Sequence, residues 1–100
     1  MYNEIDLHYM NFDDALKVFI TKYNRLYKSG DRKEIMVIHG YGSKHLGSTP
    51  VIRTKIREYF SRNKDCVKIR LDLNPGVTYV TPIKPLPIPK KRKDNALFFF

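Results

Sequence analysis

Asp6 and His8 stand two positions apart, and His39 is followed by Gly40 and Gly42. These are the residues of the chain whose types and spacing can do chemistry. Each set closes a short apolar run, in Ile5-Asp6-Leu7-His8 and in His39-Gly40-Tyr41-Gly42. On a strand, residues i and i+2 project to the same side, so the Asp6 carboxylate can orient the His8 imidazole. Cleavage of a phosphodiester needs a base for the attacking oxygen and an acid for the leaving one, and an imidazole can serve as either. The alternative is local: Asp6 closes a turn and His8 fills a semi-exposed edge. Gly40 and Gly42 permit positive φ and close backbone approach to a ligand. Their loop, with Ser43, Lys44 and His45, leads to a helix N-terminus whose N–H groups attract phosphate. It lacks the glycine–lysine–hydroxyl spacing of a P-loop and the acidic partner of a dinucleotide fold. Here too an alternative stands, a flexible connector with His39 as a satisfied histidine at a strand end.

The elements that must position these residues follow from hydrophobic period. Tyr2 to His8 reads as a strand with Ile5 and Leu7 on one face. Asn11 fits an N-cap, with Asp13 and Asp14 in the first helical turn. Leu16, Phe19, Ile20, Tyr23, Leu26 and Tyr27 then follow helical spacing up to a terminator at Gly30. Ile35-Met36-Val37-Ile38 is a continuous apolar run that suits a central strand buried on both faces. Thr49 and Pro50 fit the N-cap and first position of a second helix, with Ile52, Ile56, Tyr59 and Phe60 as its apolar stripe. Val67, Ile69 and Leu71 alternate with Lys68, Arg70 and Asp72. Asn74-Pro75-Gly76 signals a turn into a last strand, Val77 to Ile83, where Pro82 suits an edge. The order β-α-β-α-β-β predicts an α/β two-layer sandwich. Its mixed four-stranded sheet carries both helices on one face, because parallel crossovers are right-handed. The ends of the first two strands then share one edge of the sheet, and Asp6, His8 and His39 converge there as the catalytic candidates, with His39 either shaping the edge of the site or adding a second acid–base group.

Composition narrows the partners. One hundred residues make one small domain, and 42% hydrophobic residues supply a core. Net charge is +9. Lys84, Lys90, Lys91, Arg92 and Lys93 against Asp94 give residues 84–100 a charge of +4, so residues 1–83 keep +5 and favour a polyanion on their own. Pro85, Pro87 and Pro89 recur at every second position, which predicts an extended basic tail over 84–100. No apolar stretch approaches a membrane span, and no secretory signal is evident. The single cysteine, Cys66, and the absence of zinc spacing predict a reducing, cytoplasmic setting.

Arg53 and Arg57 lie one helical turn apart and can meet neighbouring phosphates. Tyr9 and Tyr41 could stack on unpaired bases. Asp72 near the hairpin could join Asp6 in holding a hard cation such as magnesium, although no ligand set is evident. No small-molecule cofactor is expected.

With these residues in place, the chain resembles the Smr (small MutS-related) domain family. The family's Leu-Asp-x-His motif is matched by Ile5-Asp6-Leu7-His8, and its His-Gly-x-Gly motif by His39-Gly40-Tyr41-Gly42. Gly47-Ser48-Thr49-Pro50-Val51-Ile52 looks like its helix entry, and Gly76-Val77-Thr78-Tyr79-Val80 like its late Gly-x-Thr-x-Val segment. Many members carry glycine where this chain has Tyr9. The resemblance implies a sandwich similar to the C-terminal domain of translation initiation factor three. It also implies nucleic-acid binding, often with endonuclease activity on RNA or DNA, with cleavage assigned to Asp6 and His8 and contact to His39, Gly40 and Gly42. The expectation is a nucleic-acid-binding hydrolase. The alternative is a non-catalytic module that binds nucleic acid or the ribosome.

Overall fold

A computed structural model of the chain describes residues 3–40 and 51–88. The elements are β1 (Asn3–Asp6), α1 (Phe12–Lys28), β2 (Ile35–Ile38), α2 (Val51–Arg62), β3 (Val67–Leu71) and β4 (Val77–Pro82). They form one four-stranded sheet in the order β1-β2-β4-β3. β1 and β2 run parallel, and β4 is antiparallel to both of its neighbours, β2 and β3. β1, β2 and β3 therefore point the same way and end on the same edge.

Local chemistry explains the helices. The Asn11 side chain caps α1 by accepting from the Asp14 N–H at 2.9 Å, and Asp13 and Asp14 sit at the positive end of the helix. Gly30 stops it with φ +88°, a conformation glycine adopts at little cost. Ala15, Phe19, Ile20 and Tyr23 of α1 meet Ile52, Ile56 and Phe60 of α2 over Ile5, Ile35, Val37 and Val80 of the sheet. The Phe19 and Phe60 rings pack edge-on at 5.3 Å and lock the helices together. Both helices cover one face. The other carries Glu4, Met36, Tyr79 and Arg70 in one row across the strands, and among the described residues no helix lies on it.

Three expectations change. The insertion of β4 between β2 and β3 makes β4 an interior strand, so Pro82 occupies no edge. It is the last strand residue, paired with Val67, and the Ile83 N–H supplies the next cross-strand bond, to the Cys66 carbonyl at 2.8 Å. The edge falls to β3, whose Ile69 and Leu71 are exposed while only Val67 is buried. β2 is central but one-sided: Ile35 and Val37 are buried, Met36 and Ile38 half-buried.

Packing also continues past the compositional boundary at Lys84. Leu86 is a core residue, and the Asn24 side chain on α1 both accepts from its N–H and donates to its carbonyl, each at 2.9 Å. The Tyr23 hydroxyl lies 2.9 and 2.8 Å from the carbonyl oxygens of Cys66 and Lys84 and shares its proton between them. No helix among the described residues is long and apolar enough to cross a membrane.

Candidate active site and nucleic-acid interface

The parallel register Asp6↔Ile38 brings the ends of β1 and β2 side by side, and the Leu7 N–H donates to the Ile38 carbonyl at 2.7 Å. The next residues therefore meet. A Cβ placed on Gly40 would sit 3.5 Å from the His8 Cβ, so the two motifs lie side by side. Gly40 has φ +78°, a conformation that glycine adopts without strain. β4 begins at the same place. The His39 and Gly40 N–H groups both donate to the Gly76 carbonyl, at 3.1 and 3.0 Å. A Cβ on Gly76 would approach Gly40 backbone atoms to 3.4 Å and the Asn74 Oδ1 to 3.3 Å. Glycine at Gly76 thus lets three chain segments close on one point.

Asp6 and His8 form the exposed half of the site. The Asp6 Oδ1 accepts from the His8 backbone N–H at 3.1 Å and from the His8 Nδ1–H. The local-turn reading holds, and the oxygen that closes the turn also orients the ring. With Nδ1 so engaged, Nε2 is the imidazole nitrogen left to a ligand. The two side chains are 44% and 41% exposed. The hydrogen bond from His8 holds the Asp6 carboxyl below its usual pKa, and Lys22 on α1 adds a smaller lowering, so the carboxylate is ionised at neutral pH.

His39 is different in kind. It is buried, its Nδ1–H donates to its neighbour's carbonyl, Gly40 O, at 2.8 Å, and its Nε2 lies 2.9 Å from the Thr78 Oγ1. The Arg57 Nε–H donates to that same hydroxyl oxygen at 3.1 Å. The Thr78 proton therefore goes to the His39 Nε2, and His39 is the neutral Nδ1–H tautomer. Burial pushes its pKa down, and the positive charges of Arg57 and Arg53 reinforce this. Both ring nitrogens of His39 are thus committed within the fold. Arg57 is half-buried; burial and Arg53 lower its pKa but leave it a cation.

Asp6, His8, Tyr9, His39 and Gly40 thus share one corner, and Arg57 joins it through Thr78. Arg53 lies one turn earlier on α2. Tyr41, Gly42, Ser43, Lys44 and His45 lie outside the described residues, as do Thr49 and Pro50. The Gly40 N–H is taken by the Gly76 carbonyl and serves the fold. Asp72 does not join Asp6. It follows β3 at the opposite edge of the sheet, three strand spacings or about 14 Å from β1, and accepts from the Asn74 N–H at 3.3 Å. The pair cannot share one cation, and no cluster of three metal-ligating side chains occurs among the described residues. Thr78 is the member of this corner least visible in the sequence, where its only signal is the spacing Gly76-x-Thr78.

Comparison with known proteins agrees with this geometry. No curated protein sequence matches the chain at a significant level. The solution structure of the B3BP Smr domain superposes with a TM-score of 0.59 at 24% identity, covering 81% of this chain and 78% of that one. The Smr domain of NEDD4-binding protein 2 gives 0.60 at 23% identity, covering 84% and 88%. The human small-MutS related domain gives 0.58 at 23% identity, covering 79% and 99%. These neighbours share the fold. The family model for the Smr domain matches residues 5–81, from the middle of β1 almost to the end of β4. The segments that meet at Gly40 all fall inside that match, and the chain belongs to the Smr domain family.

Proposed function

We propose that this chain binds RNA or DNA at the sheet edge that carries Asp6 and His8 and cleaves its phosphodiester backbone by hydrolysis. The observation that supports this most is the half-exposed imidazole of His8 held through Nδ1 by an ionised carboxylate. In this reading the His8 Nε2 takes a proton from water, the resulting oxygen attacks phosphorus, and the P–O bond to the leaving oxygen breaks. The negative charge of Asp6 stabilises the imidazolium as it forms. Entering and leaving oxygens lie on opposite sides of phosphorus in an in-line step, so His8 serves one of them. The other proton comes from solvent or from the Lys44–His45 loop. His39 positions Gly40 and does not touch the reacting atoms. Arg53 and Arg57, with the basic balance of the whole chain, supply attraction to the polyanion.

The test is incubation of the full chain with single- and double-stranded RNA and DNA, with and without a chelator. His8→Ala and Asp6→Ala are run beside it. The expected result is nicking by the wild type, abolished in both variants, with binding largely kept. Unchanged cleavage in both variants removes the pair from the chemistry. Binding without cleavage by the wild type leaves a nucleic-acid- or ribosome-binding module.

A further inference from the structure

Leu7, His8, Tyr9 and Met10 form a tight turn closed by the Met10 N–H on the Leu7 carbonyl at 3.2 Å. Tyr9 occupies its third position with φ +69°, and no other described non-glycine residue has positive φ. A turn of this pattern ordinarily takes glycine there. A side chain bearing a Cβ is strained in that region, and for a bulky residue such a conformation is an outlier. Strain alone assigns no role, but the placement of the ring adds a second observation. Tyr9 is 76% exposed, the most exposed aromatic side chain among the described residues. Its ring centre lies 4.3 Å from that of His8, inclined at 56°. The turn holds a flat aromatic surface beside the imidazole and out in solvent, at the cost of backbone strain that glycine would relieve.

We infer that Tyr9 selects unpaired nucleic acid by stacking on the base next to the phosphate that faces His8. This rests on the function proposed above and names its substrate class. In a duplex each base has both faces covered by its neighbours, so an aromatic ring gains nothing without unstacking one. In a single strand, loop or bulge a base can turn out and lie on the ring. The imidazole beside Tyr9 fixes where that base sits relative to the scissile bond. Stacking on a tyrosine tolerates any base, so the preference is for an unpaired site and not for a sequence.

The experiment measures binding by fluorescence anisotropy in chelator, so that it does not depend on cleavage. Labelled short oligonucleotides are offered as single strands and as blunt duplexes to wild type, Tyr9→Gly, Tyr9→Phe and Tyr9→Trp. Stacking predicts that Tyr9→Gly loses about tenfold in single-strand affinity, while its duplex affinity stays within about twofold. Tyr9→Phe and Tyr9→Trp should bind single strands like the wild type. An abasic nucleotide walked along the strand should cost the wild type about as much at one position and cost Tyr9→Gly nothing further. Tyr9→Gly should melt no lower than the wild type, since glycine suits the turn. Equal losses on both substrates, or no loss on either, overturn the inference. So does an abasic site that costs both proteins equally. If these binding results hold and the wild type does not cut, only the cleavage reading fails. If the wild type cuts but Tyr9→Gly discriminates as before, only this inference fails. A wild type that binds neither substrate ends both.

Discussion

The imidazole of His39 and the hydroxyl of Thr78, 39 positions apart in sequence, meet in a buried hydrogen bond of 2.9 Å beneath the site. The Thr78 oxygen also receives the Arg57 Nε–H, so a single hydroxyl satisfies one group just after β2 and one on α2. Thr78→Val keeps the shape and removes the hydroxyl, leaving an imidazole nitrogen and a guanidinium N–H without their partner. It should cost about 1–3 kcal/mol in urea unfolding, while Thr78→Ser costs less.

Acid should unfold this protein in two stages. His39 is neutral in the fold, with its pKa below the usual 6.5. Below that value the unfolded chain takes up a proton that the folded chain does not, so stability falls as pH drops through this window. Asp6, Asp31 and Glu34 also have lowered pKa values, from hydrogen bonds with His8, with the Lys33 backbone and with Arg70 respectively. Their contribution is present above the ordinary carboxylate range and is lost below it. Melting temperature against pH should begin to fall below about 6.5. In His39→Gln the first stage should flatten and the carboxylate stage remain.

Asp6→Asn separates the charge of Asp6 from its size. The amide can still meet the backbone N–H of His8, but it cannot stabilise an imidazolium as a carboxylate does. Turnover should drop by about 10²–10⁴-fold with little change in KM. A proportional rise in KM would instead place Asp6 in binding.

Arg53 and Arg57 should respond differently although both sit on α2. Arg57→Ala strips the Thr78 oxygen of a donor and should lower both nucleic-acid affinity and melting temperature. Arg53 has no such tie to the buried hydroxyl. Arg53→Ala should leave the unfolding free energy within about 0.5 kcal/mol of wild type and reduce the slope of log K against log salt by about one.

Truncation should locate the end of the packed domain at Leu86. Removing residues 89–100 leaves the Asn24–Leu86 clasp intact and should preserve the fold, while the loss of Lys90, Lys91, Arg92 and Lys93 makes nucleic-acid binding weaker and less salt-dependent. Removing residues from 85 onward, or Leu86→Ala alone, opens the core over α1. The point substitution should cost about 2–5 kcal/mol.

Period and chain order alone determined the element sequence, the cap at Asn11, the stop at Gly30 and the shared edge of Asp6 and His8 with His39. Each of these depends on contacts within a few residues or on the fixed hand of parallel crossovers. The placement of β4 was not legible, because strand order is set by which edges pair across the whole sheet. That choice exposed Ile69 and Leu71 and carried Asp72 away from Asp6. Nor could spacing divide the labour of the two histidines. His8 follows β1 into a solvent-facing turn, whereas His39 enters the layer beneath the helices, where Thr78 and Gly40 occupy both its nitrogens. Burial and hydrogen-bond partners set an imidazole's chemistry, and only the folded chain supplies them.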